Sequence, residues 1–190
     1  IKLVFQYLEK SVKTADPEAR EKMHNASTMA GMAFANAFLG MSHSMAHKIG
    51  GVHHTVHGRT NAILLPYVIR YNGTRPSKTT TWPKYNYWKA DEKFQDIAKM
   101  LGLPHSTPEE AVEAYAKAVY DLGVAVGIKM NFKDQGIDEK TWKDSLHEIA
   151  LLAYEDQCSP ANPRLPMVAD MEEILADAYH GYAKKPGRRK

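Results

Sequence analysis

Apolar side chains recur every three or four residues along most of this chain, a spacing that is typical of amphipathic α-helices. In the first half of the chain the pattern predicts four helical stretches, at residues 1–8, 16–39, 42–49 and 60–71. Gly50-Gly51 is expected to end the third stretch, and Pro66 is expected to kink the fourth. Alternating strand patterns are almost absent, so the chain is predicted to be an all-α helical bundle.

The second half of the chain carries clearer helix boundaries. Residues 94–101 form one apolar face, and Gly102 follows them as a C-terminal stop. Thr107 and Asp138 are residue types that cap helix N-termini, and each precedes a helical apolar pattern. Asp170 is predicted to begin a last helix, because its pairing with Glu173 is typical of a capping box.

Two segments depart from the amphipathic pattern in opposite directions. Residues 29–39 are apolar on almost every side. Such a helix is typically buried in the middle of a helical body, and burial is expected here. Residues 73–89 are instead a predicted long loop, whose aromatic stretch 82–88 either folds back over the bundle or contacts another subunit.

The composition indicates one globular domain, residues 1–183, followed by a basic tail, residues 184–190, that is expected to be disordered. The 190 residues are 44% hydrophobic and 25% charged, which suffices to bury a core. The 25 Lys and Arg against 22 Asp and Glu give a net charge of +3, and five of the positive charges lie in the tail. Because the excess of positive charge lies in the tail, no nucleic acid partner is expected. No membrane partner is expected either, since no apolar run approaches the roughly 18–20 residues of a membrane span.

Cys158 is the single cysteine of the chain, which excludes an intrachain disulfide framework and a Cys-x-x-Cys metal site. A lone thiol fits a reducing, cytoplasmic location. The sequence around it offers no basic neighbour that would make the thiol reactive, so Cys158 is expected to pack in the interior.

Five of the nine histidines fall between positions 43 and 57. His43 and His47 are four residues apart, so both project from one face of a helix. The two glycines at 50–51 let the backbone turn, and His57 then returns at the start of the next helix. Neutral imidazole is a common ligand of divalent transition metals, so a shared metal ion is one interpretation and a coincidental cluster is the other. His53 and His54 are adjacent, so at most one of them can join the same site.

The same residues carry a resemblance to a known family. Residues 40–51 and 56–66 resemble the signature of the iron-containing (group III) alcohol dehydrogenases: two histidines four apart, a third fourteen after the first, then His-Gly-x-x-Asn-Ala. Residues 24–39 and 156–164 are similar to the C-terminal alcohol dehydrogenase module of bifunctional acetaldehyde–alcohol dehydrogenases. The resemblance implies the helical, metal-binding C-terminal domain of a dehydroquinate synthase-like fold, truncated at its N-terminus.

For the site, the resemblance implies a metal held by one Asp and three His. His43 and His57 match the last two ligands, and the Asp and the first His are expected upstream of Ile1. His47 matches a histidine beside the metal and the nicotinamide, which gives it an expected catalytic and cofactor-contacting role. Its two alternatives are a proton relay and a packing residue behind the ligands.

The resemblance also implies the cofactors and partners. Fe²⁺ is the expected metal, with Zn²⁺ as the alternative. NAD is expected to bind mainly to a missing N-terminal nucleotide-binding half, because no Gly-x-Gly-x-x-Gly motif occurs in this chain. The implied substrates are small primary alcohols and aldehydes of the acetaldehyde type, and the implied assembly is a homo-oligomer or filament. The chain alone is expected to be inactive.

Two interpretations from other classes stay open at this point. One is a non-catalytic, His-rich metal-binding module, which would bind a metal without coupling it to a nicotinamide cofactor. The other is a helical interaction module whose histidine cluster is coincidental, which would bind no metal.

Overall fold

The computed structural model describes residues 1–76 and 88–182, and within these ranges the chain forms helices and no strands, as predicted. The predicted basic tail 184–190 and most of the aromatic stretch 82–88 lie outside the described residues. A short 3-10 turn spans Ser159–Ala161. The α-helices of the described ranges are α1 (Lys2–Thr14), α2 (Pro17–Ala37), α3 (Met41–His53), α4 (His57–Gly73), α5 (Ala90–Leu101), α6 (Pro108–Ala125), α7 (Glu139–Tyr154) and α8 (Val168–His180).

Three helix starts that the sequence predicted are confirmed by their capping hydrogen bonds. The side chain of Asp16 accepts a hydrogen bond from a backbone N–H of α2 at 2.9 Å. Thr107 does the same for α6 at 3.2 Å, and Asp138 for α7 at 2.9 Å. Each cap satisfies a donor that the helix itself leaves unpaired.

The predicted start of the last helix is wrong by three residues. Helix α8 begins at Val168, and Asp170 is its third residue rather than its cap. The Asp170 carboxylate accepts a hydrogen bond from the backbone N–H of Met167 at 2.8 Å and another from the Tyr71 hydroxyl at 2.9 Å. The carboxylate therefore reaches back to the residue before the helix. From the sequence alone, such a residue cannot be distinguished from one that caps the helix.

The predicted end of α3 is also wrong, because the helix runs through Gly50-Gly51 to His53. Glycine in a helix costs only about 1 kcal/mol relative to alanine. The last turn is held by His53, whose ring stacks on Trp142 with 5.3 Å between ring centroids. The chain reverses instead at His54, which adopts the left-handed conformation with φ of 54°.

The main hydrophobic core lies between α3, α4, α7 and α8. The buried ring of Trp142 stacks on Phe132 at 4.6 Å and on Tyr179 at 5.6 Å between ring centroids. Met45 and Ile49 bury the inner face of α3 against this core. The helix that carries His43 and His47 is therefore anchored along its length.

A smaller hydrophobic cluster joins α6 to α4 and α5 around Val112 and Tyr115. The backbones of α4 and α6 approach closely at Gly73, where an added Cβ would lie 2.5 Å from a methyl carbon of Val112. The glycine that ends α4 thus permits the contact that fixes α4 against the rest of the bundle.

The expectation that residues 29–39 are buried is wrong for the described chain. Met29, Met32, Phe34 and Phe38 are 46%, 57%, 48% and 49% exposed. The reason is that α2 packs against α1 on the side that carries its two buried alanines, and no other described helix covers its C-terminal half. An apolar helical segment therefore faces outward, directly before the start of α3.

Candidate functional site

The structure brings together the three histidines that the sequence singled out. The ring centroids of His43 and His57 lie 5.3 Å apart, those of His47 and His57 5.4 Å, and those of His43 and His47 6.2 Å. The rings of His47 and His57 are nearly parallel, with 15° between their planes. The meeting of α3 with the first residue of α4 creates this cluster, since residues 54–56 return the chain between the two helices.

The start of α3 is fixed by a pair of buried asparagines that sequence reasoning missed. Asn162 accepts hydrogen bonds from the backbone N–H of Met41 and from the side chain of Asn72, both at 3.3 Å, and it donates one to Asn72 at 2.7 Å. An added Cβ on Gly40 would lie 2.8 Å from the Asn162 side-chain oxygen. The Asn-Pro-Arg segment at 162–164 thus positions the helical turn that presents His43.

A second polar link joins α3 to α4 beside the histidines. The Ser42 hydroxyl donates to Asn61 Oδ1 at 3.0 Å. Asn61 Nδ2 lies 3.2 Å from His57 Nε2 and 3.2 Å from the His57 carbonyl oxygen. The Asn of the His-Gly-x-x-Asn-Ala motif therefore orients the His57 ring, a role that the motif alone does not reveal.

Asp156, which follows α7, supplies the carboxylate nearest to the cluster. Its Oδ2 lies 3.2 Å from His47 Nδ1 and 2.9 Å from Lys48 Nζ, and its Oδ1 accepts from the Cys158 backbone N–H at 3.0 Å. Burial raises the pKa of Asp156, but the hydrogen bonds from Cys158, Lys48 and His47 outweigh it and hold that pKa well below its usual range. The side chain is therefore ionised.

The chemistry of the histidine donors fits a divalent transition metal. Burial lowers the pKa of His43, and the neighbouring His57 and His47 rings lower it further. His43 is thus held in the neutral form, which is the form that coordinates a metal. The two imidazoles come from successive helices, and the 5.3 Å between the ring centroids of His43 and His57 is compatible with one ion bound to both rings.

A second group of ligand-type side chains lies beside the first. The ligand atoms of His47, Asp156 and Cys158 all lie within 4.8 Å of one another. Lys48 already places a fixed positive charge 2.9 Å from the Asp156 carboxylate, which opposes the binding of another cation there. Cys158 is buried, and burial raises the pKa of its thiol, in agreement with the packing role expected from the sequence.

The other two histidines between positions 43 and 57, His53 and His54, lie outside this site. His53 Nε2 lies 2.9 Å from the Ser145 hydroxyl, and its ring stacks on Trp142. His53 and His54 line a separate cavity of about 230 Å³ together with Arg59. Although His53 and His54 are close to His57 in the sequence, they line this cavity and not the site of the three clustered histidines.

Arg164 braces the end of α4 against the Pro-rich segment that follows α7. Its guanidinium donates to the carbonyl oxygens of Tyr71 at 3.0 Å and Thr74 at 3.3 Å, and it lies 4.0 Å from the centre of the Tyr71 ring. These bonds add side-chain donors to the carbonyl groups at the end of α4, where the Thr74 backbone N–H also donates to Tyr71 at 3.2 Å.

Within residues 1–76 and 88–182, no helix is long and apolar enough to cross a lipid bilayer.

Comparison with known proteins gives consistent matches over this chain. The family model for the C-terminal part of the Fe-containing alcohol dehydrogenase family matches residues 1–179. An aldehyde-alcohol dehydrogenase of Streptococcus pneumoniae serotype 2 is 77% identical over 190 residues, which is 100% of this chain and 22% of the relative. The bifunctional aldehyde-alcohol dehydrogenase AdhE of Escherichia coli K12 is 38% identical over 186 residues, covering 95% of this chain and 21% of the relative.

A solved structure agrees with the sequence matches. The iron-containing alcohol dehydrogenase from Thermococcus thioreducens superposes with a TM-score of 0.79 at 32% identity, covering 96% of this chain and 42% of that structure. The chain thus spans about a fifth of the length of the curated relatives and about two fifths of the solved one.

Proposed function

The chain belongs to the Fe-containing alcohol dehydrogenase family, and we propose from that premise that it is the helical, metal-binding part of a longer NAD-linked alcohol dehydrogenase. The reaction is the interconversion of small primary alcohols and aldehydes of the acetaldehyde type. The observation that carries the proposal is the meeting of His43, His47 and His57 where α3 joins α4. A cytoplasmic location belongs to the same proposal, supported by the single buried thiol of Cys158.

His43 and His57 are the proposed metal ligands of this chain, and an Asp and another His upstream in the longer protein complete the set. Iron is the proposed metal, from the family description, with zinc as the alternative. When bound, the metal supplies a Lewis acid for the substrate oxygen, and NAD supplies the hydride acceptor. This chain contributes the imidazoles of His43 and His57, and the Asn61 amide that orients the His57 ring.

His47 is the proposed proton carrier of the site. Its side chain is 35% exposed, whereas Asp156 behind it is 7% exposed. A ring that is partly open to water on one side and beside the ligand histidines on the other can move a proton between substrate and solvent. The nearly parallel stacking on His57 keeps the His47 ring within the cluster.

The exposed half of α2 is the proposed contact with the rest of the dehydrogenase. It adjoins α3, so the uncovered apolar surface lies next to an incomplete set of ligands. A part of the longer protein that supplies the remaining ligands would also cover this surface. The large side chains of residues 29–38 are already about half buried, so covering the remainder is worth about 1 kcal/mol for each of them.

We expect Met29 and Met32 to be protected from oxidation in the longer protein, because the remainder of the dehydrogenase covers them. Native protein would be treated briefly with hydrogen peroxide, and methionine sulfoxide measured at each position by peptide mass spectrometry. Met100 and Met167, which are 44% and 55% exposed in this chain, are the matched controls. Since oxidation follows exposure, Met32 should react about tenfold more slowly than Met167.

Dilution identifies what covers α2 in that experiment. Protection that is independent of protein concentration indicates the same polypeptide. Protection that is lost on dilution indicates a second copy, in line with a homo-oligomer or filament, and would contradict the proposed contact. Equal oxidation of Met32 and Met167 at every concentration would also contradict it.

We expect the 190-residue chain alone to show no alcohol dehydrogenase activity, because it contributes only part of the ligand set and no nucleotide-binding motif. The longer protein, purified without oxygen, should oxidise ethanol with NAD. The measurement is NADH formation by both proteins at equal molar concentration. Turnover by the isolated chain would contradict the assignment, and metal binding without turnover by the longer protein would favour a non-catalytic metal-binding module.

A further inference from the structure

The Asp156 carboxylate is a buried charge whose three partners reach it from two separate regions of the chain. His47 and Lys48 approach from α3, and the Cys158 backbone N–H approaches from the loop after α7. A buried carboxylate is stable only when its oxygens are matched by donors or by opposite charge. Asp156 meets that condition, so its position relative to α3 is well defined.

An ionised carboxylate only accepts hydrogen bonds, which determines the proton on the nearer nitrogen of His47. Nδ1 lies 3.2 Å from Asp156 Oδ2, so Nδ1 is the nitrogen that carries hydrogen. In the neutral ring the lone pair is then on Nε2. Within the described residues no hydrogen bond engages Nε2, so that atom stays available for a substrate.

We propose that Asp156 is a positioning residue that acts through His47: it fixes the tautomer and the ring orientation of His47, so that Nε2 accepts the proton of the substrate alcohol. The inference rests on the proposed function. In alcohol oxidation a bound NAD⁺ would accept the hydride of the alcohol carbon, and Nε2 of His47 would take the proton released when the O–H bond breaks. The resulting imidazolium keeps its Nδ1–H bond to Asp156 and then releases the Nε2 proton to water.

A purely structural role for Asp156 is the competing explanation, because the same oxygen also binds Lys48 at 2.9 Å. In that case Asp156 would serve to neutralise Lys48 and to fix the loop that follows α7. Replacing Lys48 with methionine removes that ion pair and leaves the hydrogen bond to His47. Lys48→Met is therefore the matched control for Asp156→Asn.

The experiment compares Asp156→Asn in the longer protein on two backgrounds, the wild type and His47→Ala. The amide keeps the shape of the side chain but can donate to Nδ1, which favours the other tautomer. In the wild-type background we expect kcat for alcohol oxidation to fall by about 10²-fold, within the range of general acid–base groups, with metal content and the KM for NAD nearly unchanged. In the His47→Ala background the same change should alter kcat by less than about twofold, since its effect passes through the missing ring.

The outcomes separate the two explanations. Lys48→Met should leave kcat within about threefold of the wild type, because the hydrogen bond between Asp156 and His47 Nδ1 remains. Equal losses of kcat on both backgrounds, or a loss in Lys48→Met as large as that in Asp156→Asn, would overturn the proposal.

A readout that is independent of turnover separates this inference from the proposed function. Solid-state ¹⁵N spectra of histidine-labelled longer protein, with His47→Ala as the difference reference, report which nitrogen of His47 is protonated. We expect protonated Nδ1 in the wild type and a shift toward protonated Nε2 in Asp156→Asn. Protonated Nε2 in the wild type would overturn the positioning role, whatever the activity. The expected tautomers in a protein without alcohol turnover would support the positioning and reject the proposed function.

Discussion

Replacing His57 with alanine is expected to remove most of the bound metal from the longer protein, and its alcohol dehydrogenase activity with it. His57 begins α4 with its ring 5.3 Å from that of His43, and Asn61 holds its orientation. Loss of a residue that merely orients a ligand typically costs about 10–100-fold in metal affinity, so loss of the ligand itself should cost at least that much. His43→Ala should have the same effect.

Metal content by mass spectrometry of anaerobically purified protein is the measurement for this prediction. His54→Ala is the matched control, because His54 lies three residues away and lines a different cavity. The control should keep its metal and its activity. A normal metal content in His57→Ala would remove His57 from the ligand set.

Replacing His47 with alanine is expected to lower kcat for alcohol oxidation by about 10²–10⁴-fold, the usual contribution of a general acid–base group. The metal content should stay nearly unchanged, because His47 is not one of the proposed ligands. Added imidazole should restore part of the rate, since a free base can occupy the space that the ring leaves. Metal content and turnover must be measured on the same sample.

A packing role for His47 predicts a different result. The loss of the ring that stacks on His57 would then lower metal content or thermal stability, with little change in the rate for each metal-loaded molecule. An unchanged rate in fully loaded His47→Ala protein would end the proton-carrier hypothesis.

The helices that the sequence predicted well are those whose signals are local. Asp16, Thr107 and Asp138 cap helices through hydrogen bonds that span three residues, so both partners stand close together in the sequence. The all-α fold follows from the same local periodicity. The start of α8 was missed because Asp170 reaches backward to Met167, and a capping side chain and a back-reaching one look alike in a sequence.

Two other expectations failed because packing decided them. Gly50-Gly51 does not end α3, since the buried face of that helix and the stacking of His53 on Trp142 favour another turn. The apolar residues of α2 predict that its surface is covered, but they do not identify the segment that covers it. In the described chain α1 covers one side only, so the remaining apolar surface is exposed.

The histidine cluster was predictable and its supporting residues were not. The spacing of His43 and His47 already places both on one side of a helix, and the short connection to His57 limits how far that residue can lie. Asn162 and Asp156 stand about 110–120 positions from their partners on α3. A single sequence carries no signal for contacts between such distant positions, so only the structure reveals them.

The central claim is that this chain provides the metal side of an alcohol dehydrogenase, and stepwise reloading of metal tests it most directly. The longer protein would be stripped of metal with a chelator, titrated anaerobically with Fe²⁺, and assayed at each step for bound iron and for NADH-dependent reduction of acetaldehyde. We expect activity to rise in proportion to bound iron and to level off at one ion per dehydrogenase domain, with neither binding nor activity in the His43→Ala/His57→Ala double variant. Full activity in the metal-free protein, or wild-type iron binding by the double variant, would contradict the claim.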